Sequence, residues 1–240
     1  MYYWNSKGTR GNSVDFMQEF YGMPFLEAVQ ELANEKGRQV VTHVAIPPVP
    51  KILVMPDKAD NVRRVYAYLV QTRKISKAVV QLCFDRHLIY QDTFGNVVFR
   101  MKDIDGNIIG AEIRGTSQQV PFKKIESGSK YGNGFNISLG ANCERMIVFE
   151  SSIDLLSFIT LYRDKLHSRL LVSMAGLKQE TLLNMAKIHD IALHNVCCCV
   201  DNDEAGIKFA GEMQVKYGTK TFLPVGVKDW NEALQGREIN

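Results

Sequence analysis

The sequence predicts an α/β protein: a mostly parallel sheet flanked by helices, preceded by a smaller α+β subdomain. Three observations predict it. From about residue 140 onward, short apolar runs alternate with stretches of helical periodicity, the pattern of strand–helix–strand units in a parallel sheet. Two of those runs, Arg145–Phe149 and Val196–Val200, end in acidic residues. Residues 61–139 instead give a basic helical pair and then several short β-like runs separated by turn residues.

At 240 residues the chain is long enough for one or two domains with a proper core. Its 45% hydrophobic and 23% charged residues are ordinary for a globular protein. No apolar run approaches the length of a membrane span, and Met1–Ser6 does not open a signal peptide, so a cytoplasmic protein without a membrane partner is expected. The net charge of +3 hides an asymmetry: residues 1–140 carry 18 Lys and Arg against 13 Asp and Glu, residues 141–240 carry 11 against 13. A basic front and an acidic back suit a phosphate backbone and metal ions respectively. Cys197, Cys198 and Cys199 are adjacent in an apolar run, while Cys83 and Cys143 stand alone. This is the usage of reduced buried thiols, neither a disulfide framework nor a zinc site.

Taken in order, Tyr2–Trp4 reads as a strand and Ser6–Asn12 as a turn. Ser13 is expected to cap a helix to about residue 21, and Pro24 to open another from Phe25 to about Lys36. One strand and two helices are too few to bury a core alone, which suggests a longer natural protein upstream. Residues 38–60, with Ile46–Pro50, read as an extended linker. Residues 61–86 read as two helices broken at Lys74–Ser76 and decorated by Arg63, Arg64, Arg73, Lys74 and Lys77. Residues 87–139 read as strands at Leu88–Tyr90, Asn96–Arg100 and Ile108–Arg114, with a hairpin signal at Asp105–Asn107. Lys123, Lys124 and Lys130 fall in a Gly/Ser-rich region read as loop. The expected order thereafter is strand 145–149, helix 152–164, strand 169–174, helix 177–189, strand 196–200, helix 204–216 and strand 220–225. The expected domains are 1–45, 46–140 and 141–240.

The chemistry is expected at the strand ends, where open α/β sheets place their ligand sites. Glu150 and Asp154 follow one apolar run and Asp201 and Asp203 another; Asp229 follows the last strand. Carboxylates converging there need a cation to stay ionised together, and hard oxygen donors select Mg²⁺ or Mn²⁺. Acids at helix N-termini are also favoured by the macrodipole, so either pair alone is weak; two pairs in one alternating unit point to a metal site.

These residues resemble the TOPRIM domain of bacterial-type primases, topoisomerases and some nucleases. Glu150 and Asp154 fit its first acidic motif, Asp201, Asp203 and Gly206 its Asp-x-Asp-x-x-Gly motif, and Gly176 its middle glycine turn. Lys228, Asp229 and Glu232 resemble the Lys-Asp segment of primases. Ser151 stands where the family usually has glycine, and a slightly changed turn is expected. Residues 61–110 resemble the basic subdomain before TOPRIM in primases, and more closely an uncharacterised domain that accompanies TOPRIM in primase and relaxase-like proteins of mobile elements. Gly11–Phe16 is similar to the end of the primase zinc-binding region, without its zinc ligands.

The resemblance implies phosphoryl or nucleotidyl transfer on nucleic acid with Mg²⁺ (or Mn²⁺), as a mobile-element primase. Glu150, Asp201 and Asp203 would be catalytic, and Glu150, Asp154, Asp201, Asp203 and Asp229 would ligate metal. Arg63, Arg64, Arg100, Arg114, Lys123, Lys124, Lys130 and Lys228 would contact nucleic acid or nucleotide. Single-stranded DNA and nucleoside triphosphates are the implied partners, with a helicase or relaxase as protein partner. A TOPRIM nuclease and a non-catalytic nucleic-acid-binding module are the alternatives.

Overall fold

The computed structural model describes residues 2–4, 9–34, 52–117, 119–130 and 132–236. It divides into two compact units, 1–49 and 50–240, each taken here by itself. The extended run expected at 46–50 and the helix end near Lys36 lie outside the described residues.

In the first unit, β1 (Tyr2–Trp4) pairs antiparallel with β2 (Thr9–Gly11), so a strand occupies part of the expected turn. Helix α1 (Ser13–Tyr21) is capped by Asn12, not Ser13: the Asn12 side chain accepts from the Val14 and Asp15 N–H groups, and Asp15 returns a bond to the Asn12 N–H. This reciprocal box satisfies the donors a helix start leaves open. Helix α2 (Phe25–Asn34) follows Pro24.

The second unit opens its regular structure with α3 (Arg63–Ala67), continued as a π-helical turn through Thr72, and α4 (Lys77–Asp85), capped by Ser76. A four-stranded antiparallel sheet follows: β3 (Ile89–Gln91), β4 (Val97–Lys102), β5 (Ile108–Arg114) and β6 (Lys123–Ile125), in that order. Its first two hairpins use the same device. Asp92 accepts from the Phe94 and Asn96 N–H groups and the Asn96 amide; Asp103 accepts from Asp105, Asn107 and the Asn107 amide. Short polar side chains bonded to the backbone just ahead of them fix such turns. Lys123 and Lys124 lie on β6, so the loop expected there is a strand.

The last part is a five-stranded sheet in the order β11–β10–β8–β9–β7. Its strands are β7 (Phe135–Leu139), β8 (Arg145–Phe149), β9 (Arg169–Ser173), β10 (Val196–Cys198) and β11 (Lys220–Thr221). All neighbours are parallel except β7 against β9. The sheet thus takes in residues 135–139, ahead of residue 141. The strand expected over 220–225 is only two residues long, and β10 stops at Cys198. Helices α5 (Ser152–Tyr162), α6 (Gln179–Ile188), α7 (Glu204–Tyr217) and the short α8 (Trp230–Gln235) complete it.

Both faces of this sheet are buried. On one face Phe135, Ile137, Ile147 and Phe149 join α5, α8, the α3–α4 pair and the antiparallel sheet in one apolar core. Phe99 of β4 meets Phe135 of β7 edge-on at 5.1 Å. On the other face Met146, Val148, Leu170, Val172 and Val196 pack under α6 and α7. That double burial is why β8 and β9 read as continuous apolar runs, not as alternating ones.

Candidate metal and phosphate site

The parallel register carries the acidic residues to one edge. Val148 pairs with Cys198 and Phe149 with Ser173, so Glu150 and Asp201 emerge together at the C-terminal ends of their strands. Gly176 helps hold the Glu150 turn: its N–H donates to the Glu150 carbonyl at 2.8 Å, from a φ of +120° that side chains rarely adopt. Gly206 is needed for a different reason. A Cβ there would collide with the Asp201 carbonyl oxygen, so only glycine lets α7 begin against that strand end.

Ser151, at the position where glycine was the usual residue, caps α5. Its hydroxyl accepts the Asp154 N–H at 3.2 Å and donates to the Asp154 carboxylate. Trp230 Nε1 donates to the Cys199 carbonyl at 2.9 Å, and Asn202 donates through its N–H to Lys228 and through its amide to Pro224, so α8 and the segment before it are tied to the strand end.

One cavity of about 190 Å³ results, walled by Glu150, Ser151, Asp154, Asp201 and Asp229 with Arg73, Arg114, Lys123 and Asn231. Burial is the largest influence on three of the acids. It raises Asp201 to about 7, helped by Asp154, Glu150, Asp229 and Asp203 in turn. It raises Asp154 to about 6 against the Ser151 hydrogen bond. It raises Glu150 against the opposing charge of Lys123. Asp201 Oδ1 is buried without a hydrogen-bond partner, a costly state for a carboxylate oxygen unless a cation or proton answers it.

Asp203 lies two residues away in a different setting. It is half-buried, accepts the Gly206 N–H at 3.0 Å as cap of α7, and faces Lys228 Nζ at 3.4 Å. The Gly206 bond, then Lys228, holds it below the usual carboxylate range. Asp203 and Lys228 therefore neutralise one another outside the cavity wall. Asp229 caps α8 by accepting the Glu232 N–H.

The basic residues divide. Arg114 and Lys123 reach the cavity. Lys124, next along β6, pairs with Glu126 at 2.9 Å. Arg100 lies over the Tyr90 ring at 4.7 Å and donates to the His87 carbonyl. Arg64 donates to Thr116 Oγ1, Arg63 is exposed at the start of α3, and Lys130 is exposed beyond β6. None of these five lines the acidic cavity.

Two further wall residues are Arg73, one of the basic residues that decorate the expected helix pair, and Asn231, which the sequence did not single out. Arg73 donates to Tyr68 Oη at 2.8 Å and to Asn231 Oδ1 at 3.1 Å, while Asn231 returns a bond to the Arg73 carbonyl. Their 158-residue separation left no local signal.

The donors fit a hard divalent cation: several carboxylates line one cavity, one of their oxygens buried and unanswered. Among the described residues no three Asp, Glu, His or Cys side chains are gathered closely enough, as they stand, to hold one ion between them.

Residues 147–234 match the family model described as Toprim-like. This stretch is a Toprim-like domain. Residues 67–143 match a second model, described as a protein of unknown function, DUF3991. An uncharacterized protein of Bacillus anthracis is 32% identical over 222 residues, covering 87% of this chain and 64% of that protein. A 65 kDa protein of Zymomonas mobilis is 31% identical over 249 residues, covering 93% and 42%. The chain therefore spans less than two thirds of the length of either relative. Among solved structures, the primase fragment of the bacteriophage T7 primase-helicase protein is similar at a TM-score of 0.49 and 23% identity, over 68% of this chain and 66% of that one. The Toprim-like match takes in β8 through α8 and so contains every acidic residue of the cavity. Among the described residues no helix is long and apolar enough to cross a membrane.

Proposed function

We propose that this chain carries out divalent-metal-dependent nucleotidyl transfer on nucleic acid, in the form of primer synthesis on single-stranded DNA by a mobile element. The observation that carries the reading is the cavity at the acidic edge of the Toprim-like domain: Glu150, Asp154, Asp201 and Asp229 line it together with Arg73, Arg114 and Lys123 from the elements before that domain, and one Asp201 oxygen is buried unanswered. Acids and bases lining one cavity suit a triphosphate whose charge is shared between cation and guanidinium.

Asp201 and Asp154 would hold Mg²⁺ or Mn²⁺, with Asp229 beside them and Asp203, paired with Lys228, flanking them outside the wall. When bound, the ion supplies charge neutralisation of the triphosphate. Arg73, Arg114 and Lys123 orient phosphate oxygens. Glu150, raised by burial, is suited to take the proton from a 3′-hydroxyl as that oxygen attacks the α-phosphorus and pyrophosphate leaves. Arg63, Arg64, Arg100, Lys124, Lys130 and Lys228 stand outside this cavity; those with exposed side chains would meet the template strand through its phosphates. A helicase or relaxase as partner, and a cytoplasmic location, belong to the same proposal.

The test is a template-dependent assay with labelled nucleoside triphosphates and Mg²⁺ or Mn²⁺, run beside a nicking assay on plasmid DNA. Labelled oligonucleotides that vanish in Asp201→Asn support the proposal. Nicking without synthesis identifies the nuclease, and DNA binding without either activity identifies the binding module; both overturn primer synthesis.

A further inference from the structure

Glu112 is a buried acidic residue, with 1% of its surface exposed, and the proposed chemistry does not use it. It sits on β5, and its Oε2 reaches two elements of the Toprim-like domain. Ser152 Oγ, on the first residue of α5, donates to Oε2 at 2.5 Å. Ser173 Oγ, on the last residue of β9, donates to the same oxygen at 3.4 Å. Glu112 also exerts an attractive charge on Lys178, which leads into α6.

These two serines bracket Glu150. Ser152 lies two residues after it. Ser173 Oγ accepts the Ala175 N–H at 3.3 Å, and Ala175 holds a positive φ of 52°. The next residue, Gly176, donates its N–H to the Glu150 carbonyl. Both segments that fix the Glu150 backbone thus meet at one carboxylate oxygen supplied by the preceding sheet. A buried carboxylate is costly to keep, and multiple hydroxyl donors are what make it tolerable.

We propose that Glu112 is a positioning residue for Glu150: it locks the start of α5 and the Ala175–Gly176 turn in mutual register, and so sets where the Glu150 side chain enters the cavity. The lock couples the antiparallel sheet to the acidic edge. Its effect on metal binding rests on the nucleotidyl-transfer reading above; its effect on the turn does not.

The experiment therefore has two arms on the full chain. In the first, without metal, amide hydrogen exchange is followed in wild type, Glu112→Ala and Glu112→Gln. Loss of the acceptor in Glu112→Ala should make the Ala175 and Gly176 amides exchange roughly tenfold faster, while the Cys199 amide, bonded to the Val148 carbonyl, keeps its rate. Glu112→Gln retains an oxygen for both hydroxyls and should restore slow exchange. Unchanged Gly176 exchange in Glu112→Ala, a uniform acceleration that includes Cys199, or no rescue by glutamine overturns the proposal.

In the second arm, Mn²⁺ binding is measured by electron spin resonance. Glu112→Ala should weaken it by about tenfold, the scale seen for groups that orient metal ligands, and glutamine should recover it. Unchanged Mn²⁺ affinity beside an altered turn overturns the link from the turn to the cavity. A wild-type chain that binds no Mn²⁺ overturns the metal reading itself, and the exchange arm still judges Glu112.

Discussion

The two sheets of the larger unit treat charge in opposite ways. In the antiparallel sheet, charged groups other than Glu112 and the cavity-lining Arg114 and Lys123 find neighbours at short range: Asp92 and Asp103 are consumed by their own hairpins, Lys124 by Glu126, and Arg100 by the Tyr90 ring and a carbonyl. At the C-terminal edge of the five-stranded sheet, Glu150, Asp154 and Asp201 are drawn into one cavity where burial and mutual repulsion raise all three. A fold does not gather like charges for its own stability. The first sheet shows charge used to make turns, the second charge held for a ligand. Asp201 and Asp203 repeat the contrast within three residues, one raised and partnerless at Oδ1, the other lowered by Gly206 and Lys228.

The largest expected effect separates those two uses. Asp201→Asn or Glu150→Gln should cut primer synthesis by roughly 10²–10⁴-fold, with a melting temperature that holds or rises because a buried repulsion is relieved. Loss of stability in step with activity would place these acids in the structural class instead. Next comes Gly206→Ala, where the new methyl meets the Asp201 carbonyl. Urea unfolding should show a loss of about 1–3 kcal/mol, and a neutral result would mean α7 does not rest on that strand end.

A smaller effect sharpens the comparison among the basic residues. Arg114→Ala and Lys123→Ala should each weaken nucleoside triphosphate binding by about tenfold at unchanged melting temperature, whereas Arg100→Ala should cost about 0.5–1 kcal/mol of stability and leave that binding intact. Binding titrations and thermal melts on the three variants decide it.

The pH dependence is the mildest test. Asp154 and Asp201 are raised in the folded chain from 3.8 to about 6 and about 7, so folding favours their protonated forms. Their contribution to stability is full below about pH 4 and is lost as pH rises through 6 and 7. Thermal melts in metal-free buffer should show Asp201→Asn flattening that decline. An unaltered pH profile in the variant would deny Asp201 its raised value.

Much of this was legible in the sequence because burial on both faces leaves an unmistakable apolar run: β8, β9 and the helices between them stand close to where periodicity put them. The Toprim-like resemblance rested on residues that the family match indeed contains. What escaped is informative. Phe135–Leu139 alternates apolar and polar residues in a glycine- and serine-rich neighbourhood, and the sequence reading assigned no strand there. Lys220–Leu223 is apolar enough for a longer strand, but pairing with β10 ends at Thr221. Asn12 outcompeted Ser13 as cap because its longer side chain reaches two N–H groups. Within the cavity the acids were visible as strand-end motifs. Arg73 was visible only as one of several basic residues on a helix pair, and Asn231 and Glu112 were not visible at all, because each owes its place to a partner distant along the chain, and no local pattern encodes that.

The most direct measurement is a calorimetric titration of the full chain with Mg²⁺ near pH 7, in two buffers of different ionisation enthalpy. The expected result is saturable binding that releases protons, since the raised Asp201 must give one up, and that disappears in Asp201→Asn. Absence of binding in wild type, or identical binding in wild type and Asp201→Asn, would contradict a cation site at the acidic edge.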